Sequence, residues 1–325
     1  MIYAINELSA LMKHVSAHIA DIDETHADRT KLWYIASLVS ELCYYHVPPM
    51  ETGNDYRTRI VPHVGYRSIV TRGQSTDVRA ALRGLGFDDI VIIEDRCIVS
   101  VGIVFNDMLV IGFRGTKFAY DWSLNMSSGL ANISGGFFLA DGVVRGISGG
   151  RIHQGYLEEA SRVSQRILSI YKNFRTSRKI SHVVVCGHSL GGAVAAISGR
   201  LLLGISDTQH SIIFGSPRCF DAIAMHDRLS SYLVHISRKG DMVPCLPSKM
   251  QGYADYPIEY DTSGDKSYNR FTLSSCETLM AWIRFLFRCA ADHGAERYRM
   301  DIGRLCSATC ASQPLIDETL LKTNF

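Results

Sequence analysis

The stretch that decides the fold is His182-Val183-Val184-Val185-Cys186-Gly187-His188-Ser189-Leu190-Gly191-Gly192. Its first half, His182 to Cys186, is a short continuous apolar run, the pattern of a strand buried on both faces of a sheet. Its second half fits G-x-S-x-G, with Gly187, Ser189 and Gly191 at the fixed positions. Leu190 to Leu203 then reads as a helix with small residues on its first turns. Strand, tight turn and helix in this order put one serine hydroxyl at the apex of a strained bend. That hydroxyl stands at a helix N-terminus, where unpaired N–H groups and the helix dipole favour developing negative charge. Side chains two residues before and after the serine would collide in such a turn. Glycine therefore stands at 187 and 191, His188 lies between, and Gly192 adds further room.

Outward from this turn the pattern is that of alternating strands and helices. Upstream, Ile98 to Phe105 and Met108 to Phe113 read as a hairpin across Asn106-Asp107, and a helix is expected from about Gly155 to Phe174. Downstream, Ile212 to Phe214 and Leu233 to Ser237 read as further strands, and a last helix is expected roughly from Cys276 to Ala290, just before His293. Such alternation predicts a mostly parallel central sheet with helices on both faces, an α/β class. Near the start, Leu32, Ile35, Ala36, Val39, Leu42 and Cys43 recur at the helical period between Asp28 and His46, with Pro48-Pro49 as a stop. A short helix is expected from Ser75 to Arg83. No linker divides the chain, so residues 1–325 are read as one domain, with 1–60 a helical extension and 121–150 a glycine-rich, lid-like insertion.

A serine hydroxyl is a weak nucleophile and needs a base, which needs an orienting acid. Where the turn just described carries the nucleophile, the acid and then the base follow it along the chain. Beyond Ser237 only one histidine remains, His293. His210 and His235 fall in strand patterns, and His226 follows the nucleophile too soon. The acid is read as Asp241, which follows a strand at the sheet's carboxyl edge between the turn residues Gly240 and Pro244. Asp221, after the preceding strand, is the alternative. The oxyanion that forms during attack needs two N–H donors: that of Leu190, and one from the turn Arg114-Gly115-Thr116, where Thr116 offers both N–H and hydroxyl.

Composition bounds the function class. The 34 basic and 32 acidic side chains give a net charge of +2, so no electrostatic case exists for a nucleic-acid partner. No H-E-x-x-H or similar cluster is present, and neither metal nor cofactor is implied. Polar residues Asn6, Glu7, Lys13, His14 and His18 break the opening stretch, so no signal peptide is read, and no apolar run reaches membrane-spanning length. The nine cysteines are scattered and several sit in apolar runs. They are read as buried free thiols in a reducing compartment, and the protein is expected to be cytoplasmic, with non-classical export left open.

Taken together these residues resemble the class 3 lipase family, the fungal-type lipases of the α/β-hydrolase superfamily. The likeness runs from about residue 97 to 298. It is carried by Val110 to Thr116, Asp121-Trp122 with Asn125, His153-Gln154-Gly155-Tyr156, Gly187 to Gly192, Gly215-Ser216-Pro217-Arg218, Asp241-Met242-Val243-Pro244, and Asp292-His293 with Tyr298. The resemblance implies an α/β-hydrolase fold and esterase activity on acylglycerols or phospholipids, met at a lipid–water interface. It places Ser189, Asp241 and His293 at the family's triad and Thr116 and Leu190 at its oxyanion positions, with His153 in a structural role. A non-catalytic lipase-like module that binds a lipid or a protein is the alternative reading.

Overall fold

The computed structural model describes residues 2–17, 26–45, 78–87, 89–95, 98–115, 129–132, 149–177, 179–202, 205–206, 208–226, 232–266 and 293–309. Nine strands fall within them: β1 Ile90–Asp95, β2 Ile98–Phe105, β3 Met108–Phe113, β4 Leu130–Asn132, β5 Arg151–His153, β6 His182–His188, β7 Thr208–Phe214, β8 Leu233–Ser237 and β9 Glu259–Asp261. The helices are α1 Ile2–Ser16, α2 His26–Tyr45, α3 Val78–Gly84, α4 Gln154–Ser177, α5 Leu190–Leu201, α6 Ala222–His226 and α7 Ala295–Thr309.

Seven strands form one sheet in the order β1-β2-β3-β6-β7-β8-β9. The first two pairings are antiparallel and the other four parallel. This is the mostly parallel α/β sheet expected from the sequence. The hairpin turns at Asn106, whose φ of 52° is left-handed, a conformation asparagine tolerates better than most residues. In register, Phe113 lies opposite Gly187, so β3 ends beside the nucleophile turn. A separate two-stranded ribbon pairs β4 with β5.

Because strand side chains alternate, each apolar run splits between the two faces. Val184 and Cys186 of β6, Met108 and Val110 of β3, and Ile212 and Phe214 of β7 share one core with α1, α2 and α7. Val183 and Val185, Leu109 and Ile111, and Ile213 share the other with α4 and α5. Helix α2 owes its place to the periodicity noted above: Leu32, Ile35, Ala36, Val39, Leu42 and Cys43 are all buried against the sheet. At Gly112 a Cβ atom would come within 2.8 Å of the Val39 carbonyl, so a bare backbone lets α2 lie directly on β3. One charged pair is buried in this face, Arg299 Nε donating to Glu41 Oε2, and it joins α7 to α2.

The helix expected at 276–290 lies outside the described residues, as do the helix stop at Pro48-Pro49 and most of the insertion at 121–150. Of that insertion, β4 and the approach to β5 are described. Strands β1 and β9 and helix α7 were not anticipated. Among the described residues, no helix is long and apolar enough to cross a membrane.

Candidate active site

The turn at the end of β6 has the geometry its glycines require. Ser189 has φ 60° and ψ −131°, a region that costs a residue with a side chain about 1–3 kcal/mol and is kept only where its surroundings impose it. Its N–H donates to the Phe214 carbonyl (2.9 Å) and its carbonyl accepts from Gly192 N–H (2.8 Å), so β7 and the first turn of α5 hold it from both sides. A Cβ at Gly187 would strike the Gly191 carbonyl, and one at Gly191 would strike the Phe113 carbonyl and lie 2.6 Å from the Arg114 carbonyl carbon. At Gly192 the obstacle is the Ser216 side chain, 2.8 Å away. Leu190 opens α5, and its N–H is one of the first four in a helix, which have no acceptor within it. Thr116 lies outside the described residues; the strand end is described as far as Gly115.

Asp241 follows β8 after a tight turn through Gly240, which has φ 92°. Its carboxylate is fully used. Oδ2 accepts from His293 Nδ1 (2.8 Å) and from the Tyr298 hydroxyl (2.6 Å), and Oδ1 accepts from Val243 N–H (3.0 Å). Burial alone would raise this carboxyl, but the His293 charge and the bonds from His293, Tyr298 and Val243 outweigh it and hold it below the usual Asp value. Asp241 is therefore an anion, aimed at one ring nitrogen of His293. The other, Nε2, is buried and has no hydrogen-bond partner among the described residues. The His293 ring lies 4.6 Å from that of His188, the residue preceding Ser189. His188 is held neutral well below the ordinary histidine value, first by burial and then by the neighbouring His293, with Asp241 and the His293 main chain opposing.

Each sequence candidate can now be placed. Asp241 and His293, 52 residues apart in the chain, form a direct pair set beside the nucleophile turn. Asp221, the alternative acid, is committed elsewhere: it accepts from Arg151 Nε (3.1 Å) and caps the Ala224 N–H (2.8 Å). His235 is buried in β8, accepting from Ser216 N–H (3.1 Å) and paired with Glu259 (2.8 Å). His153 stacks on Tyr156 at 3.8 Å. Arg218 braces the loop after Asp241 through the Cys245 and Pro247 carbonyls and Asp255.

Two tyrosines were given no role by the sequence reading. Tyr298 on α7 donates to Asp241 and accepts from Arg238 N–H (3.0 Å). Tyr44, on the last turn of α2, reaches His188 Nδ1 (2.9 Å) and accepts from Gly115 N–H (3.1 Å). Tyr298 stood in the family pattern without a task; nothing in a single sequence singles out Tyr44 from the aromatic residues around it.

Residues 110–251, which include the turn and Asp241, match the family described as Lipase (class 3). A secreted mono- and diacylglycerol lipase of Fusarium solani is 28% identical over 176 residues, covering 52% of this chain and 49% of its own. The phospholipase A1-II 4 of Oryza sativa subsp. japonica is 26% identical over 182 residues, covering 46% and 42%. The chain thus spans about half the length, or less, of these curated relatives. Among solved structures, the lipase of Rhizopus microsporus var. chinensis superposes with a TM-score of 0.54 at 18% identity, covering 83% of this chain and 87% of that one. The Lip2 lipase of Yarrowia lipolytica gives 0.55 at 15%, covering 81% and 92%. Both share the α/β-hydrolase fold with this chain.

The expectation of a cytoplasmic protein is corrected by this set, since the Fusarium solani relative is secreted and points to the extracellular side. The cysteine argument fails for a physical reason. Cys43, Cys186 and Cys219 are free and buried. Burial pushes all three well up, into the unreactive thiol form, so their being unpaired says nothing about the redox state outside. The matching segment, residues 110–251, holds the turn at Ser189 and Asp241, and over it the chain is similar to the class 3 lipases, whose solved relatives share its α/β-hydrolase fold.

Proposed function

We propose that the chain hydrolyses fatty-acyl esters of acylglycerols or phospholipids, with Ser189 as nucleophile, His293 as general base and Asp241 as the acid that orients it. The observation that carries this is the Asp241–His293 hydrogen bond, which leaves Nε2 of a histidine lying beside the nucleophile turn without another partner among the described residues. In the first step His293 Nε2 takes the Ser189 hydroxyl proton as Oγ attacks the ester carbonyl. The oxyanion is met by the Leu190 N–H and by Thr116. His293 then gives its proton to the departing alcohol, leaving an acyl-enzyme. Water, deprotonated by the same nitrogen, releases the fatty acid and restores the serine. Asp241 stays ionised throughout, stabilising the imidazolium each time it forms. The lipid substrate class is supported by the relatives' names, a mono- and diacylglycerol lipase and a phospholipase A1.

The test is covalent labelling with a fluorophosphonate, wild type against Ser189→Ala. Labelling of the wild type at Ser189, abolished in the variant together with release of fatty acid from diacylglycerol, is the expected result. Equal labelling of both proteins, or undiminished hydrolysis by the variant, overturns the assignment.

A further inference from the structure

We infer that Tyr44 is a positioning residue for this reaction: its hydroxyl fastens the end of β3 at Gly115 to the imidazole of His188, setting the oxyanion-side strand and the ring beside His293 in one fixed relation. The inference rests on the triad proposed above. Its basis is the proton count at one oxygen. A phenol has one proton to give and lone pairs to receive. The Tyr44 oxygen receives the Gly115 N–H at 3.1 Å and lies 2.9 Å from His188 Nδ1, nearer than the His188 carbonyl at 3.4 Å. Giving its proton to Nδ1 satisfies the phenol, Nδ1 and Gly115 N–H together, and it fixes the remaining His188 proton on Nε2, a buried nitrogen with no hydrogen-bond partner among the described residues.

The site is tight. A Cβ on Gly115 would fall on the Tyr44 oxygen, 2.7 Å from the His188 carbonyl and 3.0 Å from Ser189 Cβ, so three distant segments meet at this glycine. Two consequences follow. The Gly115 N–H is committed to Tyr44 and is not an oxyanion donor. The His188 ring, 2% exposed and 4.6 Å from His293, is kept as a neutral neighbour that does not repel the imidazolium formed there in each step. Without the hydroxyl, Gly115 N–H and His188 Nδ1 both lose their partner, while the packing of the aromatic ring against His188 is retained.

Tyr44→Phe separates positioning from packing. Measured on a short-chain nitrophenyl ester, kcat is expected to fall about tenfold with KM within twofold, and the rate of fluorophosphonate labelling to fall in parallel. Rates are taken at a temperature well below both melting points, so a less stable variant is still read fairly. Nitrogen-15 spectra of the histidine rings supply a readout that packing alone does not move: His188 in the wild type carries its proton on Nε2, and in the variant its tautomers mix. A variant whose kcat stays within twofold of wild type, or whose His188 tautomer is unchanged, overturns the inference. The two claims fail separately. A wild type that does not label at Ser189 ends the proposed triad. A wild type that labels, beside a variant that labels equally fast, ends only the role of Tyr44. The tautomer comparison judges Tyr44 in either case.

Discussion

The two faces of the central sheet are assembled from very different kinds of chain. On one side, β6, α5 and β7 follow one another within a few dozen residues, and α4 packs beside them. On the other, α2 lies against α7, and the Glu41–Arg299 pair that joins them bridges 258 residues. The first face fixes the proposed nucleophile by short-range sterics, since Ser189 is held by its own glycines and by the adjoining strand. The second supplies what steadies the proposed acid and the ring beside the proposed base: Tyr298 on Asp241, Tyr44 on His188, and the ion pair between their two helices. A nucleophile can thus be specified locally, whereas its activation depends on parts of the chain that meet only in the finished fold.

The sharpest way to break this contrast is at the acid. Asp241→Asn keeps the shape but removes the charge that orients His293, and kcat is expected to fall about 10⁴-fold while the nucleophile turn is untouched. Steady-state hydrolysis by a variant of native circular dichroism checks this; a loss under tenfold would mean the long-range face matters little to the chemistry. Next in size is Glu41→Gln, which leaves the buried Arg299 guanidinium with only the half-exposed Glu296 carboxylate, 4.0 Å away, to face it. A loss of about 3–5 kcal/mol in urea unfolding is expected, with the reaction at Ser189 surviving in whatever fraction remains folded. A loss under 1 kcal/mol would show that the two helices are held by apolar contact alone.

The smallest effect is in the dependence of stability on pH. His188 titrates in the folded protein well below its ordinary 6.5, and Asp241 below 3.8. Each therefore binds protons more readily when unfolded, so stability rises with pH across both windows. The His188 share is complete above about pH 6.5 and is lost as pH falls toward its folded value; the Asp241 share follows at lower pH. Glu41, whose carboxyl burial raises above 4.5, works in the opposite sense, so the His188 share is read as a difference: between pH 6.5 and 5 the wild-type melting temperature should lose ground relative to that of His188→Asn. Parallel profiles for the two proteins would contradict the assignment.

Legibility followed the same divide. The hairpin strands β2 and β3 and the later β8 run between the residues expected of them, and α2 begins two residues before Asp28. The turn at Ser189 was readable because steric exclusion leaves its mark in adjacent residues. Strand β9 escaped notice because three residues, Glu-Tyr-Asp, carry no pattern of their own. Helix α7 was not anticipated, although Tyr298, Ile302 and Cys306 recur every fourth residue and are buried. Asp241 and His293 were reached by chain order. Tyr44 could not be, because a lone tyrosine hydroxyl bonding across 144 residues leaves no spacing to read.

The long span between α2 and α7 also sets a timetable. A ribosome adding roughly 5–20 residues per second presents Glu41 roughly 10–50 seconds before Arg299 exists. Through that interval the apolar stripe of α2 has only part of its eventual cover, and the serine bend is made while no imidazole stands ready to strip its proton. Under the proposed triad the nascent polypeptide is chemically silent until residue 293 has emerged. Folding on this side is then gated by translation, which marks α2 as the segment that a holding chaperone would have to shield.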